Sequence, residues 1–220
     1  MIRFSIVLAG ILAAPFCFGQ STPAVGVFLD FDSVPGAASV EVMKKEVDSL
    51  LKGVKLDWRM LKENQGNETF AGLVVVRFRG RCKAEPWPQQ PSEDPGSTQT
   101  LGATKVMNGR VLPFSDIQCD EVRRALAYLR PETTQRERQK ALGLALGRVV
   151  AHELYHMLAH TTAHAARGLA RAAESLNDLI SDTIPMVFRA EDGAAIRQSL
   201  VPQPPAAAQT DTRPASPSPR

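Results

Sequence analysis

The chain is poor in the features that would define several large classes of protein. Only three cysteines occur in 220 residues, Cys17, Cys82 and Cys119, and none belongs to a C-x-x-C pair. A cysteine-built zinc site or a dithiol redox motif is therefore excluded. Aromatics make up 6% of the residues, with no alternation of aromatic and basic positions of the kind that stacks RNA bases. There is no glycine-rich phosphate loop and no internal repeat. The net charge of +3 is small and scattered, which gives no footprint for nucleic acid. The one long apolar run, residues 4–16, is too short to span a bilayer comfortably.

That run has another reading. Arg3 supplies a positive start, residues 4–16 an apolar core, and Cys17-Phe18-Gly19 a passable cleavage context before Gln20, so residues 1–19 are expected to be an export signal. Loss of the leader removes Cys17. An exported chain left with Cys82 and Cys119 invites a disulfide between them, the alternative being two buried thiols. Residues 20–200 are long enough for one domain with a sizeable core. Residues 201–220 hold six prolines, many alanines and no apolar period, the composition of a disordered tail. The mature protein is expected to be periplasmic or secreted, a monomer, without nucleic-acid partners and without stable membrane insertion.

Histidine is also scarce, but its four copies are concentrated: His152, His156, His160 and His164 all fall within 13 residues. The run Val149-Val150-Ala151-His152-Glu153-Leu154-Tyr155-His156 continues a helical apolar period, so His152 and His156 stand one turn apart on one face with Glu153 at its edge. This is the H-E-x-x-H arrangement of metal hydrolases. A catalytic zinc takes three protein ligands and leaves one position open, where the pKa of a bound water falls from about 15.7 to about 7. Two imidazoles supply two ligands, and Glu153 can take a proton without occupying the metal. The third ligand must come from elsewhere. His160 lies about 12 Å along the helix axis from His152, too far to share one ion. The chain has to break helix near Thr161-Thr162 and return, which makes His164 the candidate. Asp178 and Asp182 are candidate acceptors for an imidazole N–H, and Tyr155 or His160 candidate donors to an oxyanion.

The remaining elements follow from period and punctuation. Residues 24–31, 54–61 and 73–79 read as strands, and a helix after Pro35-Gly36 carries Val40, Met43, Val47, Leu50 and Leu51 at helical spacing. Residues 82–99 are loop. Residues 101–106 and 110–114 form one or two short strands about Met107-Asn108-Gly109, with an edge able to accept an extended peptide. Residues 119–129 are helical. A long helix starts at the capping box Thr134-Gln135-Arg136-Glu137 and runs to about residue 160, with Gly143, Ala145 and Gly147 expected to let it lie close under the sheet. Residues 176–188 and 194–200 read as two helices split by Glu191-Asp192-Gly193.

H-E-x-x-H followed by a break and a further histidine resembles the metzincin clan of zinc peptidases, over residues 149–172 closely and the preceding strand order loosely. The spacing H-E-x-x-H-x7-H with Gly168-Leu169-Ala170-Arg171 after it is similar to small exported bacterial proteins of metallopeptidase type. The resemblance implies an α+β fold: a twisted mixed sheet, a backing helix, a long active-site helix and a small helical C-terminal part. It also implies one Zn2+ ion on His152, His156 and His164, Glu153 as general base, and a peptide or protein substrate cleaved internally. The chain departs from the metzincin pattern in two places. Ala159 stands where that pattern has glycine, with the third histidine two residues late, and Ala170 stands where the methionine under the metal is expected, Met186 being the later candidate. Two rival readings remain open: a thermolysin-like ligand set with Asp178 or Glu174, and an exported protein whose zinc is structural and closed by a fourth ligand.

Overall fold

A computed structural model describes residues 24–63, 66, 68–86, 100–128, 133–166, 168–171, 179–180 and 187–200. The leader, the C-terminal tail, Glu174, Asp178, Asp182 and Met186 lie outside the described residues. Among the described residues the fold is a mixed α/β structure of five strands and four helices: β1 (Val25–Phe31), α1 (Ala37–Leu50), β2 (Leu56–Met60), β3 (Gly72–Arg79), β4 (Gly102–Met107), β5 (Arg110–Gln118), α2 (Cys119–Ala125), α3 (Gln135–Leu158) and α4 (Ala190–Ser199).

The strands form one sheet in the order β2-β1-β3-β5-β4. β1, β2, β3 and β5 run parallel, and β4 is antiparallel to β5 at one edge. Parallel neighbours require buried faces, and β1 answers with Val25, Val27, Leu29 and Phe31 turned into the core beside Val74, Val76, Phe78 and Ile117. Val40, Met43 and Val47 of α1 and Leu142, Leu146, Val150 and Leu154 of α3 fill the same layer. Each such side chain contributes about 1.5–3 kcal/mol by leaving water. β4 and β5 turn on Asn108 and Gly109, both with positive φ (51° and 74°), the backbone that an Asn-Gly hairpin needs. Cys82 and Cys119 form a disulfide, Cα atoms 5.1 Å apart, pinning the segment after β3 to the start of α2. Closing a loop of that length restrains the unfolded chain by about 4 kcal/mol in the chain-entropy account.

Helix α3 carries the two glycines of the long helix to a different neighbour from the one expected. A Cβ on Gly143 would lie 2.5 Å from Val42 Cβ and 2.7 Å from Ser39 O; one on Gly147 would lie 2.7 Å from Glu46 Cβ. Both glycines therefore face α1, and they let two helix backbones touch. Arg148 and Glu46, paired at 2.9 Å, cross the same interface. At the C-terminal end, Glu191, Asp192 and Gly193 sit inside α4, where a break between two helices was expected. Asp192 accepts from the Arg189 backbone N–H at 3.2 Å, so its carboxylate starts the helix and outweighs the glycine beside it. No helix among the described residues is long and apolar enough to cross a membrane.

Candidate metal centre

The long helix begins as its sequence predicts. Thr134 is the N-cap, its oxygen accepting from Glu137 N at 3.3 Å while Glu137 Oε2 accepts from Thr134 N at 2.7 Å. It ends at Leu158, short of His160, so His160 does not continue the helix face. His160 takes a left-handed backbone (φ 49°), and the Thr161 N–H reaches back to His156 O at 3.2 Å. This is a helix stop in which glycine is the usual occupant. The stop also turns the Thr161 carbonyl inward, where it accepts from His156 Nδ1 at 2.8 Å. Thr161 Oγ1 then accepts from Ala163 N at 3.0 Å, and the chain swings back with His164.

Below this turn, Gly168 has φ 79°, and a Cβ there would lie 2.8 Å from Val187 O. The tight backbone presents the Leu169 carbonyl to His152 Nδ1 at 2.7 Å. A carbonyl oxygen only accepts, so both Nδ1 atoms carry the proton and both Nε2 atoms keep a lone pair. Those two lone pairs face each other at 3.0 Å. His164 stacks on His152 (centroids 5.3 Å, 22°) and meets His156 edge-on (4.8 Å, 77°).

The ligand atoms of His152, His156 and His164 all lie within 4.8 Å of one another. Two nitrogens on a tetrahedral zinc at about 2.0–2.1 Å stand about 3.3 Å apart, so the helical pair fits at once and the exposed His164 arm has a short way to draw in. The donor set is chemically suited to a divalent cation: neutral imidazoles, each helical one oriented by an acceptor on its other nitrogen. Burial holds the His152 and His156 rings below the ordinary histidine value, against the backbone carbonyls that pull upward, which favours the neutral, metal-binding form.

Glu153, the residue after His152, is 4% exposed. Its Oε2 accepts from Thr104 Oγ1 of β4 at 2.6 Å. Burial pushes its carboxyl above the ordinary glutamate value, and the Thr104 bond pulls the other way without prevailing. Gly102 of β4 lies over the same carboxylate.

The structure thus brings His152, His156 and His164 together, with Glu153 beside them, and leaves His160 out on the exposed turn. Tyr155 is buried and packs against Phe188, ring centroids 5.6 Å apart. The expected acceptors Asp178 and Asp182 lie outside the described residues, and backbone carbonyls of Leu169 and Thr161 do that work. Thr104 and Gly102 escaped the sequence reading. Their period-2 spacing on an expected strand places them on one face, but nothing local says which helix that face meets.

No family model matches the chain, and no curated protein matches it. Among solved structures, the chain is similar to a zinc-dependent peptidase from Methanocorpusculum labreanum: 10% identity, TM-score 0.47, covering 79% of this chain and 100% of that one. It is likewise similar to archaemetzincin from Methanopyrus kandleri, with 13% identity and a TM-score of 0.44 over 83% of this chain and 98% of that one.

Proposed function

We propose that the protein is an exported, metzincin-like zinc endopeptidase that binds one zinc ion through His152, His156 and His164 and uses Glu153 as general base. The observation that carries this reading is the convergence of three imidazoles, two of them fixed by backbone acceptors, next to a buried carboxylate that is not one of the three. Zinc bound there would polarise a substrate carbonyl and acidify a water molecule. Glu153 takes the proton of the attacking water and passes it to the leaving amine, and burial, which raises its carboxyl above the ordinary glutamate value, favours its holding the proton in between. β4 pairs only with β5 among the described residues, so its outer edge offers N–H and C=O groups to an extended peptide. Residues 1–19 as an export signal agree with the Cys82–Cys119 disulfide, which persists in oxidising compartments.

The structural-zinc reading needs a fourth protein ligand. Among the described residues His160, one candidate for it, lies on the exposed turn outside the cluster. The test is digestion of a broad peptide library by zinc-loaded protein, with and without chelator. Glu153→Gln should bind zinc as wild type does and lose about 10³-fold in kcat. A Glu153→Gln variant that cuts at the wild-type rate ends the base assignment, and retention of full zinc affinity by His164→Ala ends the ligand assignment.

A further inference from the structure

A general base on a three-bond side chain is useful only if it is held still. Proton abstraction needs a donor–acceptor reach of about 2.6–3.2 Å, and a displacement of 1 Å at a reacting group costs about 10²-fold. Glu153 is attached to the helix that carries two of the imidazoles, but its carboxylate takes its hydrogen bond from outside α3. The hold comes from the sheet. Thr104 Oγ1 lies 2.6 Å from Glu153 Oε2 and 3.3 Å from the Glu153 main-chain oxygen. A threonine hydroxyl has one proton, and it goes to the closer, charge-bearing acceptor. Two residues earlier on the same face, a Cβ on Gly102 would stand 2.7 Å from Glu153 Oε1 and 2.8 Å from Val149 Cγ1. One position of β4 therefore binds one carboxylate oxygen, and another makes room for its partner. The specificity is local: Ser115, directly across from Thr104 on β5, is more deeply buried, yet its hydroxyl makes no hydrogen bond among the described residues.

Resting on the function proposed above, the geometry points to Thr104 as the positioning residue that fixes the Glu153 carboxylate for proton transfer, with Gly102 shaping its seat. Among the described residues the Thr104 hydroxyl bonds to Glu153 and to none of the three histidines, so its action is through Glu153. The strand that seats the base is the edge strand of the sheet, so a shift of β4 is transmitted directly to the reacting carboxylate.

The experiment uses the zinc-loaded mature protein with Thr104→Val, which keeps shape and β-branching but removes the donor, Thr104→Ser, which restores it, and Ser115→Ala as a neighbouring control. Thr104→Val should lower kcat about 10- to 100-fold with KM and zinc affinity within about twofold, Thr104→Ser should recover most of the loss, and Ser115→Ala should leave kcat unchanged. A structural role alone predicts loss of melting temperature and zinc affinity with no rescue by serine, and that result overturns the assignment, as does a Thr104→Val enzyme with wild-type kcat. A second arm needs neither metal nor substrate: a double-mutant cycle of Thr104→Val and Glu153→Ala on chelated protein, read by urea unfolding. The unfolding constant of the double mutant should depart from the product of the single effects by about fivefold or more, and additivity overturns the contact. A zinc-loaded wild type that cuts no peptide overturns the proposed function; the cycle then decides this inference alone, coupling sustaining the hold on Glu153 and additivity ending it.

Discussion

The two faces of β4 hold two buried carboxylates in opposite ways. On the inner face Thr104 donates to Glu153, and on the outer face the next residue, Lys105, pairs with Asp116 at 2.5 Å. Arg79 adds a second cation to Asp116 at 3.3 Å and reaches on to Asp32 at 3.1 Å. Burial by itself would raise the Asp116 carboxyl, but Lys105 and Arg79 outweigh it and hold the group below its ordinary value. Glu153 meets a hydroxyl and imidazoles, and there burial outweighs both and its carboxyl is raised. One strand, through its alternation, thus lies against a carboxyl held below its ordinary value on one side and one held above it on the other. What separates the two is the charge of the neighbour, since both carboxylates are buried.

The comparison can be broken most forcefully at Gly102. Gly102→Ala puts a methyl group into the Glu153 seat; it should cost about 2 kcal/mol in urea unfolding and lower kcat about 10²-fold, whereas zinc content stays at one per chain. A silent Gly102→Ala would mean that β4 does not rest on Glu153 at all. Asp116→Asn should cost less, about 1.5 kcal/mol at pH 7, by leaving Lys105 without its anion and Arg79 with Asp32 alone. Because the folded pKa of Asp116 is depressed, its stabilisation is present above the ordinary value of 3.8 and disappears as pH falls through the lower folded value. Wild type and Asp116→Asn should therefore converge in acid, with zinc binding and kcat at pH 7 unaffected; a gap that persists at low pH would remove the ionic account of the outer face. The smallest change touches neither carboxylate. His160→Gly relieves a left-handed residue at the helix stop and should raise stability by about 0.5 kcal/mol, measured by the same unfolding curves, which sets the scale for a purely backbone effect.

Much of the fold was legible because it is written in short periods. The apolar runs at 24–31, 54–61 and 73–79 became β1, β2 and β3 within two residues at each end, since a buried parallel strand needs a continuous apolar stretch. The expected strand at 110–114 runs on to Gln118, through Ser115 and Asp116, whose polarity concealed it; Asp116 is neutralised by cations on the outer face, and no local pattern announces that. Gly143 and Gly147 were recognised as permitting a close approach, but which surface approaches is a matter of where α1 lies. The helix stop at Ala159-His160 came earlier than Thr161-Thr162, because a histidine accepted the left-handed backbone that the turn requires.

By itself, the sequence determined that His152 and His156 stand one turn apart with Glu153 at their edge, and that a helix of this length starts at Thr134, because both depend only on the 3.6-residue period and on caps within four residues. Tertiary structure alone decided that Leu169 and Thr161 carbonyls orient the two rings, that α1 rather than the sheet lies against the glycines of α3, and that Thr104 and Gly102 enclose the carboxylate of Glu153. Those contacts join residues up to 104 positions apart, such as Ser39 and Gly143, and an interaction between segments so remote has no period to read; it exists only once the sheet order and the helix packing have brought the segments together.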